Sequence, residues 1–490
     1  MRPPIISFLV FILVYGASMV SKMLRALIPQ HQLNINTTDT VKLLMGVVDS
    51  RLALVLGRLI SRKFILAIIL FICFAFESIA QATMTTSGQE TSISQRDCQQ
   101  GQISDLWRKK DKEPKPVKKF SALLYPNISS NPSNGFLFGA GGVFGWYFNP
   151  MHLTKVSGGV VSVAYTTKNQ LIIFIKTNSY TSNDNMFLQG DWRFYLYSQP
   201  TFGLGTNAPD TVALPSTIHW MGADTKDYNG AYPMKYNYIK LNEIVNFKII
   251  TNLYIGVGYQ LDDYYSINDQ LLKLDTIPMQ VTPHYLYSKK HGFDTTQYAI
   301  SGLSLNVLYD SRDNLINPYK GIYANINYRY NFTFLGSSQE SSSLWTEFRT
   351  YVGLSKKNPR HLIAFWLFGD FIMTGHIPYL ALPSLGEDQR ARSGRGYVNS
   401  RFRGEDLIYG EVEYRFPILP CSQILGGVFF INATTTSNRD RNVGIFKYIQ
   451  PAVGIGLRVM VNKYFRTNVN FDFAIGGQSK GFYLNGQETY

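Results

Sequence analysis

Three cysteines in 490 residues rule out a disulfide scaffold, since Cys73, Cys98 and Cys421 could form at most one pair. Charge is scarce as well. Asp, Glu, Lys and Arg make up 16% of the chain, against about 25% in an average soluble domain. The shortage is mainly acidic, with 33 Asp and Glu against 47 Lys and Arg, a net charge of +14. The basic residues are scattered through alternating apolar segments and form no stripe, so no nucleic-acid partner is expected. The seven histidines (His31, His152, His219, His284, His291, His361 and His376) show no metal-ligand spacing. No nucleophile elbow is present, and the glycine runs "GAGGVFG" and "GIGLR" alternate like strands, which makes them packing sites and not phosphate loops. The reading is therefore a non-enzyme, with no catalytic residue, no cofactor and no metal. From residue 118 onward a long helical pattern is also missing.

The chain is rich in Gly (40), Tyr (32) and Phe (32), a mix that suits β structure with many turns and an aromatic surface. Arg62-Lys63 precedes "FILAIILFICFAF", a basic n-region and an apolar stretch of about 13 residues, too short to span a bilayer comfortably. Residues 62–82 thus read as a signal peptide, with small residues for cleavage after Ala80 or Ala82. Residues 1–61 read as a leader upstream of the natural start, for which Met45 is a candidate. Residues 83–117 include "WRKKDKEPKPVKK" and read as a disordered periplasmic tail.

Residues 118–490 alternate with period two. In "GIYANINYRYNFTF", Ile322, Ala324, Ile326, Tyr328 and Tyr330 oppose Asn325, Asn327, Arg329 and Asn331. "RTNVNFDFAIG" sets Val469, Phe471, Phe473 and Ile475 against Asn468, Asn470 and Asp472. Such segments of about 9–14 residues match tilted membrane-crossing strands, and aromatics near their ends match interface girdles. Sixteen strands are expected, near 118–126, 134–148, 155–167, 170–180, 185–198, 235–250, 253–264, 296–310, 321–334, 342–355, 361–373, 406–418, 423–433, 450–461, 466–476 and 481–490. The long gaps (199–234, 265–295, 374–405, 434–449) all follow odd-numbered strands. Short periplasmic turns and long outer loops are the pattern of an outer-membrane barrel. The expected fold is all-β, a sixteen-stranded antiparallel transmembrane β-barrel.

Two segments carry a resemblance. "YDSRDNLINPYKGIY" holds Asp310, Arg312, Asp313, Pro318 and Gly321, and "GRGYVNSRFRG" holds Arg395, Gly396 and Tyr397. Together they resemble the BamA/TamA-type outer-membrane assembly barrels, the bacterial surface antigen family, over about residues 118–490. The resemblance implies that the second segment lies in a long sixth extracellular loop, folded into the lumen with its tip pinned to the wall. Strand twelve, "LIYGEVEYRF", would turn Glu411 and Glu413 toward that tip, and paired carboxylates are what a buried guanidinium needs. Tyr490 resembles the terminal aromatic signal of the family. The partners implied are outer-membrane lipid, client outer-membrane proteins and a separately encoded periplasmic protein.

Two departures stand out. Only about 35 residues separate the signal peptide from the barrel, fewer than one periplasmic POTRA repeat. Asn432 stands where the family often has an aspartate, so a weaker lock is expected. The first and last strand candidates are poor pairing partners, "KKFSALLYP" ending at Pro126 and "GFYLNGQETY" carrying two glycines. A loose seam of this kind fits insertion or translocation of polypeptides or lipids by lateral opening. The alternative is a passive pore or a plugged structural barrel that has lost client handling.

Overall fold

The computed structural model describes residues 101–106 and 119–490, apart from short breaks at 132–134, 149–154, 209–218, 221–222, 225–230, 276–279, 389–390, 420–423, 478 and 487. The leader and the signal peptide lie outside the described residues. So does most of the tail, but Ile103–Leu106 forms one 3-10 turn. Where disorder was expected, this turn is tied down: Asp105 closes it onto the Gln102 amide (3.1 Å) and pairs with Lys463 (3.1 Å).

Sixteen antiparallel strands form one barrel. They are β1 Phe120–Asn131, β2 Gly135–Trp146, β3 Ser157–Thr166, β4 Leu171–Tyr180, β5 Met186–Thr201, β6 Tyr232–Ile250, β7 Leu253–Asp269 and β8 Tyr298–Asp310. The second half comprises β9 Gly321–Asn331, β10 Ser341–Gly353, β11 Leu362–Gly375, β12 Asp406–Pro417, β13 Leu425–Thr436, β14 Gln450–Asn462, β15 Thr467–Gly476 and β16 Lys480–Asn485. Each strand pairs with its sequence neighbour, and β16 returns to β1. The connections alternate as expected: residues 251–252 and 463–466 turn tightly at one end, while 202–231, 270–297 and 376–405 span the other.

The burial pattern is inverted relative to a soluble protein. In β8, Leu303, Leu305 and Val307 are exposed while Ser304, Asn306 and Asp310 are buried. In β14, Leu457 is 39% exposed and the adjacent Arg458 only 2%. An apolar outer face and a charged interior suit a wall whose outside is lipid. Except along the β1–β16 join, strand pairing also satisfies the backbone hydrogen bonds that lipid cannot. The inward charges pair: Arg329 with Asp262 (2.6 Å) and Arg193 with Asp191 (2.8 Å), as desolvated ions require.

Four details differ from the sequence reading. β1 does not stop at Pro126 but runs on to Asn131, with Pro126 opposite Ala140. Proline is tolerated there because β1 is an edge strand, where a missing N–H breaks no ladder. β16 ends at Asn485, not at residue 490. The β7–β8 connection holds a helix, α1 Pro283–His291, started by Thr282, whose side chain accepts from the Tyr285 amide (3.2 Å), and stopped at Gly292 (φ 75°). A two-residue ladder, His219–Trp220 with Ala223–Asp224, lies in the β5–β6 connection.

Candidate functional site: the Arg395 loop and the barrel seam

The β11–β12 connection carries five arginines, and the four among the described residues find three kinds of partner: carboxylates, backbone carbonyls and an aromatic ring. Arg395 Nη2 donates to Glu411 Oε1 (2.6 Å) and to Glu413, and Nη1 donates to Asp472 Oδ2 (2.7 Å). Its Cζ lies 3.5 Å from the centroid of the Phe430 ring. Arg403 Nη1 donates to the carbonyls of Tyr379 (2.9 Å) and Leu380. Arg401 stacks over Phe202 (4.6 Å). Arg392 donates to the Glu488 carbonyl.

Glu411 and Glu413 are two apart on β12, so both project from the same inward face. Asp472 reaches the same guanidinium from β15. The set extends further. Arg415 donates to Glu413 (2.7 Å), and Arg458 bridges Asp472 and Glu488 (2.9 Å to Glu488). Asn432 donates to the Arg395 carbonyl (3.0 Å) and to Glu411 (3.4 Å). The amide thus holds the backbone of the loop, while the third carboxylate comes from β15, three strands from the two glutamates. Asp472 was legible as an inward polar residue of an alternating strand. Its meeting with Arg395 was not, because cross-barrel proximity leaves no mark in local spacing.

The backbone at the tip is fixed by its own contacts. Gly396 adopts φ 102°, and a β-carbon there would lie 3.0 Å from both the Ala452 side chain and the Gly476 nitrogen, so this residue must be glycine. Its amide donates to Tyr483 Oη (3.0 Å), and Tyr397 Oη donates to the Pro451 carbonyl. The tip therefore touches β12, β13, β14, β15 and β16 together.

The second motif occupies the β8–β9 turn. Asp310 accepts from Arg312 (2.9 and 2.8 Å) and from Tyr180 Oη (2.8 Å). Arg312 lies over the Tyr323 ring (4.4 Å). Asp313 caps the turn by accepting from the Tyr319 and Lys320 amides (3.0 and 3.3 Å). Pro318 is buried in the turn. Gly321 has φ 107°, and a β-carbon there would meet the Ser311 carbonyl at 2.4 Å.

Among the described residues, β1 and β16 are the least joined of all neighbouring strands: one aligned pair, Ser130 with Phe482, whereas β12 and β13 share eleven. Beyond β16 the chain turns inward. Tyr490 is buried against Trp366 (ring centroids 5.2 Å), and its hydroxyl donates to the Ala364 carbonyl (3.1 Å). The aromatic expected at the end of the last strand thus sits against β11.

The Omp85 superfamily domain matches residues 161–486. The chain belongs to the Omp85 superfamily. Solved structures with similar folds include BamA from Haemophilus ducreyi lacking POTRA domains 1–3, at 16% identity and TM-score 0.44, covering 75% of this chain and 69% of that one. CdiB from Acinetobacter baumannii shares 15% identity at TM-score 0.44, covering 76% of this chain and 60% of its own. CdiB from Escherichia coli shares 8% identity at the same TM-score, covering 74% of this chain and 59% of its own. No curated protein matches the chain. As an Omp85 barrel it resides in the outer membrane, with the short turns periplasmic and the long loops extracellular.

Proposed function

We propose that this Omp85 barrel inserts or translocates a polypeptide or lipid by opening laterally between β1 and β16, with no chemical step. The single aligned pair at that seam carries the reading. Most of the β1 edge has no partner in β16, and an open edge is the natural template for an incoming strand. The β11–β12 loop, held inside the barrel by Arg395, would act as a lock. Its contacts on β12 to β16 would make that flank of the seam one rigid unit. The inward-turned residues 488–490 and the β11–β12 loop against the inner wall also suit a plugged structural barrel, so the test must separate the two.

Cysteines at Ser130 and Phe482, in a background with its three cysteines replaced by serine, should crosslink. Outer membranes of cells carrying the crosslinked form should lose newly folded client proteins, and a reductant should restore them. Full client levels with the crosslink in place would overturn the opening reading in favour of the plugged barrel.

A further inference from the structure

The seam has a second closure. The lone β1–β16 pair lies at the extracellular end, since Ser130 is near the end of β1 and Phe482 near the start of β16. Halfway down, β16 has stopped, and a β-carbon on Gly486 would meet the Tyr125 ring of β1 at 2.8 Å. At the periplasmic end there is no ladder between β16 and β1, yet the two flanks meet. Asn462, at the end of β14, donates to Ser121 Oγ near the start of β1 (2.8 Å). Phe465, on the β14–β15 turn, is 2% exposed and lies against Tyr147, just past β2 (ring centroids 5.6 Å). Gly145 of β2 makes room for it: a β-carbon there would be 2.4 Å from the Phe465 ring and 3.3 Å from Ile316.

Ile316 belongs to the β8–β9 turn, on the far side of the barrel. Leu315 and Ile316 are buried in one apolar cluster with Phe465, Val156 and Tyr180. Polar contacts hold this turn from both sides. Arg466 pairs with Asp313 (2.7 Å) and lies over the Tyr319 ring (4.2 Å). Lys155, in the β2–β3 connection, donates to the Asp310 carbonyl and to Asn252 (3.0 Å).

We propose that Phe465 and Ile316 form an apolar clasp that holds the periplasmic end of the seam shut, with the Asp310–Gly321 turn as its crossbar. The proposal rests on the reading that the seam opens. Apolar contact is non-directional, so such a catch can part and re-form without re-registering a β-ladder. The turn motif then has a task of its own. It stretches across the barrel mouth from the wall opposite the seam and presents Ile316 where the two seam flanks converge.

The test is hydrogen–deuterium exchange of the barrel in lipid nanodiscs. In Phe465→Ala, amides of residues 120–129 should exchange at least about tenfold faster, with little change in Phe465→Leu and none in β6–β7. Unchanged exchange at 120–129 in a folded Phe465→Ala barrel overturns the clasp. Should that variant not fold, cysteines at Ser121 and Asn462 serve instead. Their crosslink should slow exchange at 120–129, and failure to crosslink, or unslowed exchange, overturns the proposal. Neither readout involves a client, so the clasp and the client reading fail separately.

Discussion

Replacing Arg395 by alanine tests the lock most directly, and the contacts set the size of the effect. The Arg395 side chain is 4% exposed, and those of Glu411, Glu413 and Asp472 are between 0 and 1%, so water screens the set little. Removing one partner of a buried ion pair costs about 3–5 kcal/mol. The three carboxylates do not suffer equally, however. Glu413 keeps Arg415, and Asp472 keeps Arg458. Among the described residues, Glu411 keeps the Tyr409 hydroxyl (2.7 Å) and Asn432 and no cation. One orphaned charge places Arg395→Ala near the lower end, about 3 kcal/mol. Glu411→Gln leaves Arg395 with two carboxylates and should cost about 1.5–3 kcal/mol, the worth of a charged hydrogen bond. In the double variant the orphan is gone, so the costs should fall short of their sum by about 1–3 kcal/mol. The same cycle with Glu413→Gln should show a smaller coupling, because Arg415 already compensates Glu413. Urea unfolding in lipid vesicles, followed by tryptophan fluorescence, gives midpoint and slope for each variant. Trypsin should cut the loop at its remaining arginines in Arg395→Ala but not in the wild type. Additivity within about 0.5 kcal/mol in the Glu411 cycle, or equal coupling in both cycles, would refute the argument.

Two further outcomes follow from neighbouring residues. The sequence reading made Asn432 a weak point that aspartate would strengthen. With Glu411, Glu413 and Asp472 already on one guanidinium, Asn432→Asp would add a fourth carboxylate and delete the donor to the Arg395 carbonyl. It should therefore lower the urea midpoint, and a raised midpoint would show that the site lacks negative charge. Outside the membrane, His376 packs against His291 (ring centroids 4.2 Å), whose Nε2 donates to Asp440 Oδ2 (3.1 Å). Partial burial, then His291, lowers the His376 pKa, against the opposing pull of Asp440. A depressed folded pKa means that stability is full above the unfolded value of about 6.5 and declines as pH falls below it. An NMR titration should place the His376 midpoint below 6.5, and His376→Gln should flatten the urea midpoint between about pH 7.5 and 5. A midpoint above 6.5 would mean that Asp440 dominates.

The strands were legible because lipid imposes a strict rule. An outward residue must be apolar and its neighbour may carry charge, so Leu457 and Arg458 can adjoin and the period of two survives along the whole barrel. Arg395 with Glu411 and Glu413 was legible because β12 follows the loop directly and the two glutamates share a face. What stayed hidden depends on distance across the barrel. Asp472 belongs to β15, Arg458 to β14, and Glu488 to a stretch that leaves β16 and turns inward. The turn at Tyr490 was hidden for the same reason: its ring fits against Trp366 and Tyr351, which no pattern near residue 490 announces. Helix α1 is a different kind of miss. Its signals were local, Thr-Pro at the start and Gly292 at the end, but nine residues between long strands are easily passed over as loop.

The two flanks of the seam are unequally built, and that inequality bears on which one yields. On one side, Arg395, Asn432 and the Gly396–Tyr397 backbone join β12, β13, β14, β15 and β16. Moving any of these strands alone would break a hydrogen bond to the loop tip, at about 1–3 kcal/mol for each buried group left unsatisfied. On the other side, β1 is held to β2 by its ladder and to the far flank by Ser130, Ser121 and the contacts of Phe465. Among the described residues, none of the contacts that join β1 to the far flank is an ion pair. On the proposed reading, opening therefore displaces β1 from a stationary β12–β16 wall. The ion network serves this asymmetry by keeping one edge fixed, so that the exposed β1 edge is the one offered to an incoming chain.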